Sequence, residues 1–163
     1  MKRILIIGCP GSGKSTLSGE LHRATGIPLY HLDMMYWNSD KTTVGKELFK
    51  ERLSQVLAKE RWIIDGNYQS TMEQRMAACD TVIFLDYPKE LCLQGVKARA
   101  GKPRSDLPWI EEGEDEEFLE FICNFEQQTR PKILSLFEKY PEKEIYIFKT
   151  RQEAEDFIKK ATI

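Results

Sequence analysis

Several features are scarce in this 163-residue chain, and each scarcity argues against a class of protein. No apolar run approaches the ~18 residues that a membrane-spanning helix needs, so we expect no membrane segment. The chain has two histidines and four cysteines, none of them in a C-x-x-C pair, which argues against a zinc site. The basic start, residues 1–3, runs directly into a strand pattern, so we expect no signal peptide and a cytoplasmic protein with reduced thiols.

An excess of basic charge is also missing. The 24 lysines and arginines are outnumbered by 26 aspartates and glutamates, which gives a net charge of −2. Nucleic-acid-binding domains usually carry a basic surface. We therefore expect neither nucleic acid nor a membrane among the partners of this protein.

The most informative stretch that is present is GCPGSGKS at residues 8–15, which fits the phosphate-binding pattern G-x-x-x-x-G-K-[ST]. Glycines let backbone N–H groups turn around a phosphate, and the helix that follows adds positive potential at its N-terminus. Lys14 is expected to reach the β- and γ-phosphates of ATP and to take part in catalysis, and the Ser15 hydroxyl is expected to bind Mg²⁺. The predicted nucleotide-binding residues are Gly8, Pro10, Gly11, Ser12, Gly13, Lys14, Ser15 and Thr16.

Strand patterns alternate with helix patterns along the chain, which indicates an α/β domain with a parallel sheet covered on both faces. We expect one three-layer domain over residues 1–163, with ligands at the carboxyl ends of the strands. Thr43 is predicted to cap the second helix, and Pro131 is predicted to bend a long helix. The predicted strands cover residues 4–7, 27–32, 62–64, 82–85 and 145–148, and the predicted helices cover 16–25, 43–59, a short stretch near 72–76, 88–100, 116–140 and 152–160.

Two classes of P-loop protein are excluded by motifs that the sequence lacks. It has no N/T-K-x-D motif, which GTPase switches use to bind the base, and no L-S-G-G-Q motif, which transport ATPases carry. A compact kinase remains, and a kinase must surround the transferred phosphoryl group with positive charge and exclude water. We predict a mobile helical lid over about residues 99–130, with Arg99, Arg104 and Arg130 as catalytic residues. An ordinary solvated loop with basic side chains is the alternative.

A distinctive combination of motifs covers nearly the whole chain. Its residues are 7–16, 27–28, 31–33, 37, 62–68, 71, 75, 80–86, 101–104, 124–125 and 129–132. With these motifs the chain resembles the adenylate-kinase-like small P-loop kinases. More narrowly, it resembles the FlaR-related proteins that are often labelled DNA topology modulation proteins. The resemblance implies ATP binding, a P-loop kinase fold and the strand order 2-3-1-4-5, but it does not supply a phosphoryl acceptor.

Three predicted strands end in an aspartate. In the implied order the third strand lies beside the P-loop strand, so Asp65 is expected to bind Mg²⁺ together with Ser15, mostly through water. Asp33 faces the space where an acceptor would lie, and it is expected to accept the proton of the attacking hydroxyl. For both residues, a role in capping a helix or turn is the alternative. Asp86 precedes Pro88 and is expected to begin the next helix.

Aromatic and polar side chains are expected to form the acceptor site. Trp37 and Tyr68, with Tyr36, offer walls for a ring, while Arg75 offers a cation for a phosphate or carboxylate. Asn67 and Asp33 complete the predicted acceptor-binding set. Packing of the aromatic residues in the core is the alternative. The helix that follows carries Arg52 but offers little further anchoring for phosphate, so we expect an acceptor with fewer charges than AMP.

The sequence therefore predicts an ATP-dependent phosphotransferase that acts on a small acceptor such as a nucleotide, nucleoside or other metabolite. Its expected partners are ATP, Mg²⁺ and that acceptor, and the protein is expected to be a monomer or homodimer. The alternatives are an ATP-binding regulatory module without turnover and a nucleic-acid-associated protein that affects DNA topology.

The charge balance generates a first prediction. We expect no specific binding to duplex or single-stranded DNA, because affinity for DNA comes largely from lysines and arginines that displace counterions. A fluorescence-anisotropy titration at about 150 mM salt tests this, since non-specific DNA binders have dissociation constants near 10⁻⁴ to 10⁻⁶ M. Sub-micromolar binding that weakens steeply with salt and survives excess ATP would contradict the prediction.

Overall fold

A parallel five-stranded sheet forms the centre of the molecule, as seen in a computed structural model that describes residues 1–110 and 116–161. The strands are β1 (Arg3–Gly8), β2 (Leu29–His31), β3 (Trp62–Asp65), β4 (Thr81–Leu85) and β5 (Glu144–Phe148). They lie in the order β2-β3-β1-β4-β5, and every neighbouring pair is parallel. The predicted fold class and strand order are confirmed.

Burial explains why β1 lies in the middle. Residues 4–7 of this strand are all fully buried, as expected for a strand with neighbours on both sides and helices over both faces. β3 and β4, which flank it, are also buried along their whole length. The edge strands β2 and β5 are only partly buried. The first turn after β1 is therefore held in the best-packed part of the sheet.

Helices connect the strands and pack on the sheet. They are α1 (Lys14–Thr25), α2 (Leu32–Tyr36), α3 (Lys46–Leu57), α4 (Gln69–Ala78), α5 (Lys89–Arg99), α6 (Glu116–Asn124), α7 (Arg130–Lys139) and α8 (Arg151–Ala161). A π-helical turn, Phe125–Thr129, joins α6 to α7. Within the described ranges, no helix is both long enough and apolar enough to cross a membrane. Residues 111–115 of the predicted lid, which carry part of its acidic character, lie outside the described residues.

Three details differ from the sequence-based expectations. Thr43 does not cap α3, because its backbone pairs with Trp37 in an isolated bridge and the helix begins after Gly45. β2 ends at His31, so Asp33 lies in the first turn of α2 rather than at the end of a strand. The predicted long helix is interrupted by the π-helical turn, which ends just before α7 begins. Pro131 lies in the first turn of α7, and because proline has no backbone N–H it cannot donate a hydrogen bond to the preceding turn.

A close contact between two glycines holds the turn after β1 against α5. A Cβ at Gly11 would overlap the backbone carbonyl of Cys92, and a Cβ at Gly95 would overlap the carbonyl oxygen of Gly11. Gly11 also has a φ of 83°, which glycine adopts without strain. Glycine is thus required on both sides of this contact, and Gly95 was not singled out from the sequence.

This contact generates a second prediction, which compares two glycines in helix interiors. Gly95→Ala should lower the free energy of unfolding by about 1–3 kcal/mol, because the new methyl group forces α5 away from the turn. Gly19→Ala in α1 is the control, since the nearest atom to its added Cβ is the end of the Arg23 side chain at 3.6 Å. That variant should be neutral or stabilised by up to about 1 kcal/mol. Urea denaturation followed by circular dichroism measures both, and equal effects would rule out the proposed overlap.

Candidate functional site

A cavity of about 850 Å³ opens at the carboxyl ends of β1, β2 and β3. The loops that follow these three strands form one side, and residues between α5 and α6, with α6 itself, form the other. The lining residues are Pro10, Gly11, Gly13, Lys14, Ser15, Asp33, Trp37, Lys41, Asp65, Gly66, Asn67, Tyr68, Gln69, Arg99, Arg104, Asp106, Leu107, Trp109, Phe118 and Phe121. This position agrees with the general rule that α/β sheets bind ligands beyond the carboxyl ends of their strands.

The P-loop forms one end of the cavity. Its turn is made possible by left-handed backbone angles at Gly11 and Gly13, with φ values of 83° and 96°. α1 begins at Lys14, so the positive end of its dipole lies at the cavity, where it favours anions. Of the other predicted nucleotide-binding residues, Gly8 and Ser12 are buried beneath the turn, and Thr16 is exposed outside the set of lining residues.

Lys14 folds back over this turn. Its Nζ donates hydrogen bonds to the carbonyl oxygens of Gly8 at 2.9 Å and Cys9 at 3.3 Å. Burial lowers the pKa of Lys14, and the nearby Asp65 carboxylate opposes that shift. Neutral carbonyl groups therefore hold the ammonium in place, and among the residues that the structure describes no carboxylate forms an ion pair with it that would have to break before it meets a phosphate.

Asn67 joins the loop after β3 to the start of the P-loop. Its Oδ1 accepts a hydrogen bond from the backbone N–H of Gly8 at 3.2 Å, and its Nδ2 donates to the carbonyl oxygen of the same residue. Asn67 also lines the cavity. The side chain predicted to bind the acceptor thus has a clear role in positioning the P-loop.

Asp65 lies at the centre of a buried polar cluster. Its Oδ2 accepts hydrogen bonds from Ser18 Oγ and from His31 Nδ1, both at 2.7 Å. Burial works to lower the pKa of His31, but the bond with Asp65 and the surrounding carboxylates outweigh burial and raise it. His31 was not assigned a site role from the sequence; the pairing of β2 with β3 places it directly opposite Asp65.

Asp65 and Ser15 line the same cavity and fit the predicted Mg²⁺ site in their chemistry. Mg²⁺ in kinase sites is usually held by one or two protein oxygens, with phosphates and water completing its coordination. A carboxylate and a hydroxyl are suitable oxygens, so these residues fit such an ion. The alternative role of Asp65, as a cap for α4, is not supported, because that helix has no side-chain cap.

A chain of hydrogen bonds orients Asp33. The Trp37 Nε1–H donates to Tyr68 Oη at 3.1 Å, and the Tyr68 hydroxyl donates to Asp33 Oδ1. Burial raises the pKa of Asp33, and the Tyr68 hydrogen bond partly offsets this shift. The three predicted acceptor residues are therefore brought together, and all three line the cavity.

Aromatic rings build the wall around this chain. Trp37 and Trp109 meet edge to face, with ring centroids 5.5 Å apart and planes at 86°. Tyr36 packs against Trp37, Phe49 and Tyr68 but does not itself line the cavity. Trp109 was missed by sequence reasoning, since it lies in an irregular stretch without helical or strand periodicity.

Two of the three predicted lid arginines reach the cavity. Arg99, at the end of α5, has its guanidinium 5.7 Å from the ring centre of Phe118. Arg104 forms a two-point interaction with Asp106, at 2.8 and 2.7 Å. Burial alone would raise the pKa of Asp106, but the Arg104 interaction lowers it below its usual value. Both arginines line the cavity beside the P-loop residues.

Arg130 lies elsewhere. Its guanidinium binds the Asp86 carboxylate at 2.9 to 3.1 Å, and Lys149 binds the same carboxylate. These three residues line a second cavity of about 500 Å³ that has no lining residue in common with the first. The structure therefore separates Arg130 from Arg99 and Arg104, and it gives Asp86 an ion-pairing role in place of beginning a helix.

Arg75 lies beneath the acceptor region rather than in it. The residue is fully buried and donates hydrogen bonds to Thr71 Oγ1 at 3.1 Å and to the backbone oxygens of Gly66 and Tyr68 at 2.9 and 2.8 Å. Burial lowers its pKa to about 9, so it keeps its positive charge at neutral pH. Arg75 holds the loop that carries Asn67 and Tyr68, which differs from the predicted contact with an acceptor.

Comparisons with known proteins identify the fold. No protein family and no curated protein matches the chain. A shikimate kinase from Bacteroides thetaiotaomicron is 21% identical, with 98% of this chain and 95% of that chain covered and a TM-score of 0.57. The chain shares its fold. The same holds for a shikimate kinase from Acinetobacter baumannii in complex with shikimate (18% identity, 98% and 90% covered, TM-score 0.59) and for a gluconokinase from Sinorhizobium meliloti (12%, 99% and 89%, 0.58). The structural neighbours are small P-loop kinases.

The place of Arg75 generates a third prediction. Arg75→Met should lower the free energy of unfolding by roughly 2–4 kcal/mol, because two partly buried backbone carbonyls and the buried Thr71 hydroxyl lose charged donors. Arg52→Met is the control, since Arg52 is exposed and makes one hydrogen bond, to the Met35 carbonyl. That change should stay within about 0.5 kcal/mol. If Arg75→Met leaves the unfolding free energy unchanged and alters only the KM of an acceptor, the side chain contacts the acceptor after all.

Proposed function

We propose that this protein is an ATP-dependent phosphotransferase that phosphorylates a hydroxyl group of a small molecule. The observation that carries the proposal is the meeting of two different sites in one cavity. A P-loop with its lysine forms one end, and an oriented carboxylate, Asp33, lies among aromatic rings at the other. The proteins that share the fold are kinases by name, which agrees with this proposal.

In the proposed complex, the phosphates of ATP bind the P-loop turn. Backbone N–H groups at the start of α1 donate to the phosphate oxygens, and Lys14 moves from the carbonyls of Gly8 and Cys9 to the β- and γ-phosphates. Asn67 keeps the turn in shape by holding Gly8 on both its polar groups. The side chains of Arg99 and Arg104 supply further positive charge near the transferred group.

In the transfer step, the oxygen of the acceptor hydroxyl forms a bond to the γ-phosphorus while the bond between that phosphorus and the β,γ-bridging oxygen breaks. Asp33 accepts the proton of the hydroxyl, and ADP leaves with the bridging oxygen. The bond from Tyr68 holds the Asp33 carboxylate in position. The pKa of Asp33, raised by burial, makes it a better proton acceptor than an exposed aspartate.

The residues that would hold Mg²⁺ in this proposal are Ser15 and Asp65. The ion would neutralise part of the phosphate charge when it is bound with the nucleotide. Ser18 and His31 fix the Asp65 carboxylate in one orientation at the cavity. The narrower resemblance to FlaR-related proteins and a cytoplasmic location remain part of this proposal.

A transfer assay with ATP labelled at the γ-phosphate tests the function. The protein is incubated with a panel of hydroxyl metabolites, and a labelled acceptor is the expected product. Lys14→Ala should reduce turnover or ATP affinity by at least tenfold, because charged hydrogen bonds are worth roughly 1.5–3 kcal/mol. Lys46→Ala, an exposed lysine at the start of α3, serves as the control and should leave both unchanged. Equal activity in both variants would refute the role of the P-loop.

A fifth prediction, which follows that for Lys14→Ala, separates chemistry from binding. Asp33→Asn should leave ATP affinity nearly unchanged and reduce transfer by about 10²–10⁴-fold, because an amide cannot accept the proton. Because the pKa of Asp33 is raised, the wild-type rate should begin to fall on acidification at a higher pH than the ordinary value near 4 would predict. That acidic limb should be missing from the residual activity of the variant. The pH dependence of kcat, measured for both proteins, tests this prediction. If the variant loses activity on acidification in the same way as the wild type, the titrating group is not Asp33.

A further inference from the structure

Three aromatic side chains, Trp37, Tyr68 and Trp109, form what we call the aromatic cage at the acceptor end of the cavity. Trp37 and Trp109 stand almost perpendicular, at 86°, and their centroids are only 5.5 Å apart. A planar ring stacked between two walls needs those walls parallel and farther apart. The two rings instead touch edge to face and form a corner of the cavity wall, where an ammonium group can bind to a ring face that this contact leaves open.

The charge beside the cage favours the same occupant. Asp33 is bonded to Tyr68, one of the cage residues, and no lysine or arginine in residues 1–110 and 116–161 forms an ion pair with it. The Asp106 and Asp65 carboxylates raise the pKa of Asp33 in addition to burial, while the Tyr68 hydrogen bond and the Lys14 ammonium oppose this rise without reversing it. A half-buried carboxylate without an ion-pair partner is costly, and a cationic ligand would supply that partner.

Lys14 lowers the pKa of Asp33 through its charge, but its ammonium is bonded to the Gly8 and Cys9 carbonyls and forms no ion pair with Asp33. In the function proposed above, Lys14, Arg99 and Arg104 serve the phosphates of ATP, whose complex with Mg²⁺ still carries negative charge. Arg75 is turned into the floor beneath the cavity. Lys41 also lines the cavity and is exposed to solvent, and it is a lining cation to which the proposed function gives no role in binding ATP. It is therefore included in the test.

We propose that the phosphoryl acceptor is a hydroxylated amine whose ammonium group binds in the aromatic cage. Its hydroxyl group then faces Asp33 and the P-loop. This inference rests on the phosphotransferase function proposed above and names the acceptor class of that site. It differs from the anionic hydroxy acid named for one structural neighbour, the complex with shikimate.

The experiment compares acceptors that differ in charge and little else. Choline is paired with its uncharged isostere 3,3-dimethylbutan-1-ol, and glucosamine is paired with N-acetylglucosamine; shikimate and gluconate are the anionic members. Transfer of label from ATP is measured for each of them. At least one amine is expected to have a kcat/KM about tenfold or more above that of its uncharged partner, which is the effect that a desolvated cation–π site provides.

Variants locate the preference in the cage. Trp109→Leu should raise the KM of the preferred amine about tenfold while leaving the KM of its uncharged partner and that of ATP unchanged. Trp109→Phe keeps a ring and should retain part of the preference. Tyr146→Leu, which removes a ring on β5 at the far edge of the sheet, should leave the preference intact. Lys41→Ala should have no effect on amines.

The outcomes separate the inference from the function on which it rests. Preferred transfer to an amine that is lost in Trp109→Leu supports both. Preferred transfer to an uncharged or anionic acceptor, or a loss of activity in Lys41→Ala, overturns the amine inference while the phosphotransferase function stands. A wild-type protein that binds ATP but labels no member of the panel contradicts the proposed function, and the inference falls with it.

Discussion

The carbonyl oxygen of Gly8 accepts hydrogen bonds from two side chains, Lys14 Nζ and Asn67 Nδ2. One comes from the first residue of α1, and the other comes from the loop after β3. Gly8 is also the last residue of the central strand β1. Its carbonyl group therefore connects the sheet to the P-loop, through Lys14, and to the loop on the acceptor side of the cavity, through Asn67. A side chain at this position would press on the Leu85 carbonyl and on Ser12, at 2.9 Å from each, so the join requires glycine. The shape of the P-loop therefore depends on packing behind it as much as on its own sequence.

The parts of the molecule that the sequence predicted are those with local causes. The P-loop is a run of eight residues whose glycines and lysine each have a physical reason, and the buried strand before it follows from a short apolar run. Asp33, which follows β2, and Asp65, the last residue of β3, were expected near the cavity because parallel strands bring their carboxyl ends to one edge. Asp33 and Asp65 both line the cavity. The helix that carries Asp33 was not predicted, because a helix of five residues is too short to show helical periodicity in the sequence.

The parts that were missed depend on pairing between distant segments. His31 reaches Asp65 only because β2 and β3 pair with these residues opposite each other, and strand register cannot be derived from either strand alone. Trp109 reaches Trp37 from a stretch without regular structure. Arg75 looked available because a single arginine on a short helix gives no sign of its burial. In the structure its five N–H donors suit a floor made of backbone carbonyls better than a solvent-facing site.

Arg130 shows why one sheet edge can carry two separate sites. α5 is pressed against the P-loop through Gly95, and it contributes its first turn to the second cavity and its last residue, Arg99, to the first. Asp86 then pairs with Arg130 and Lys149 at the ends of β4 and β5, where one carboxylate of lowered pKa offsets part of their positive charge. The basic residues at this edge of the sheet therefore fall into two cavities on either side of α5. Only those in the cavity that contains Lys14 can act on a phosphate bound at the P-loop. The number of basic residues in a predicted lid is therefore a poor guide to catalytic charge, because the packing of α5 decides which of them share a cavity with Lys14.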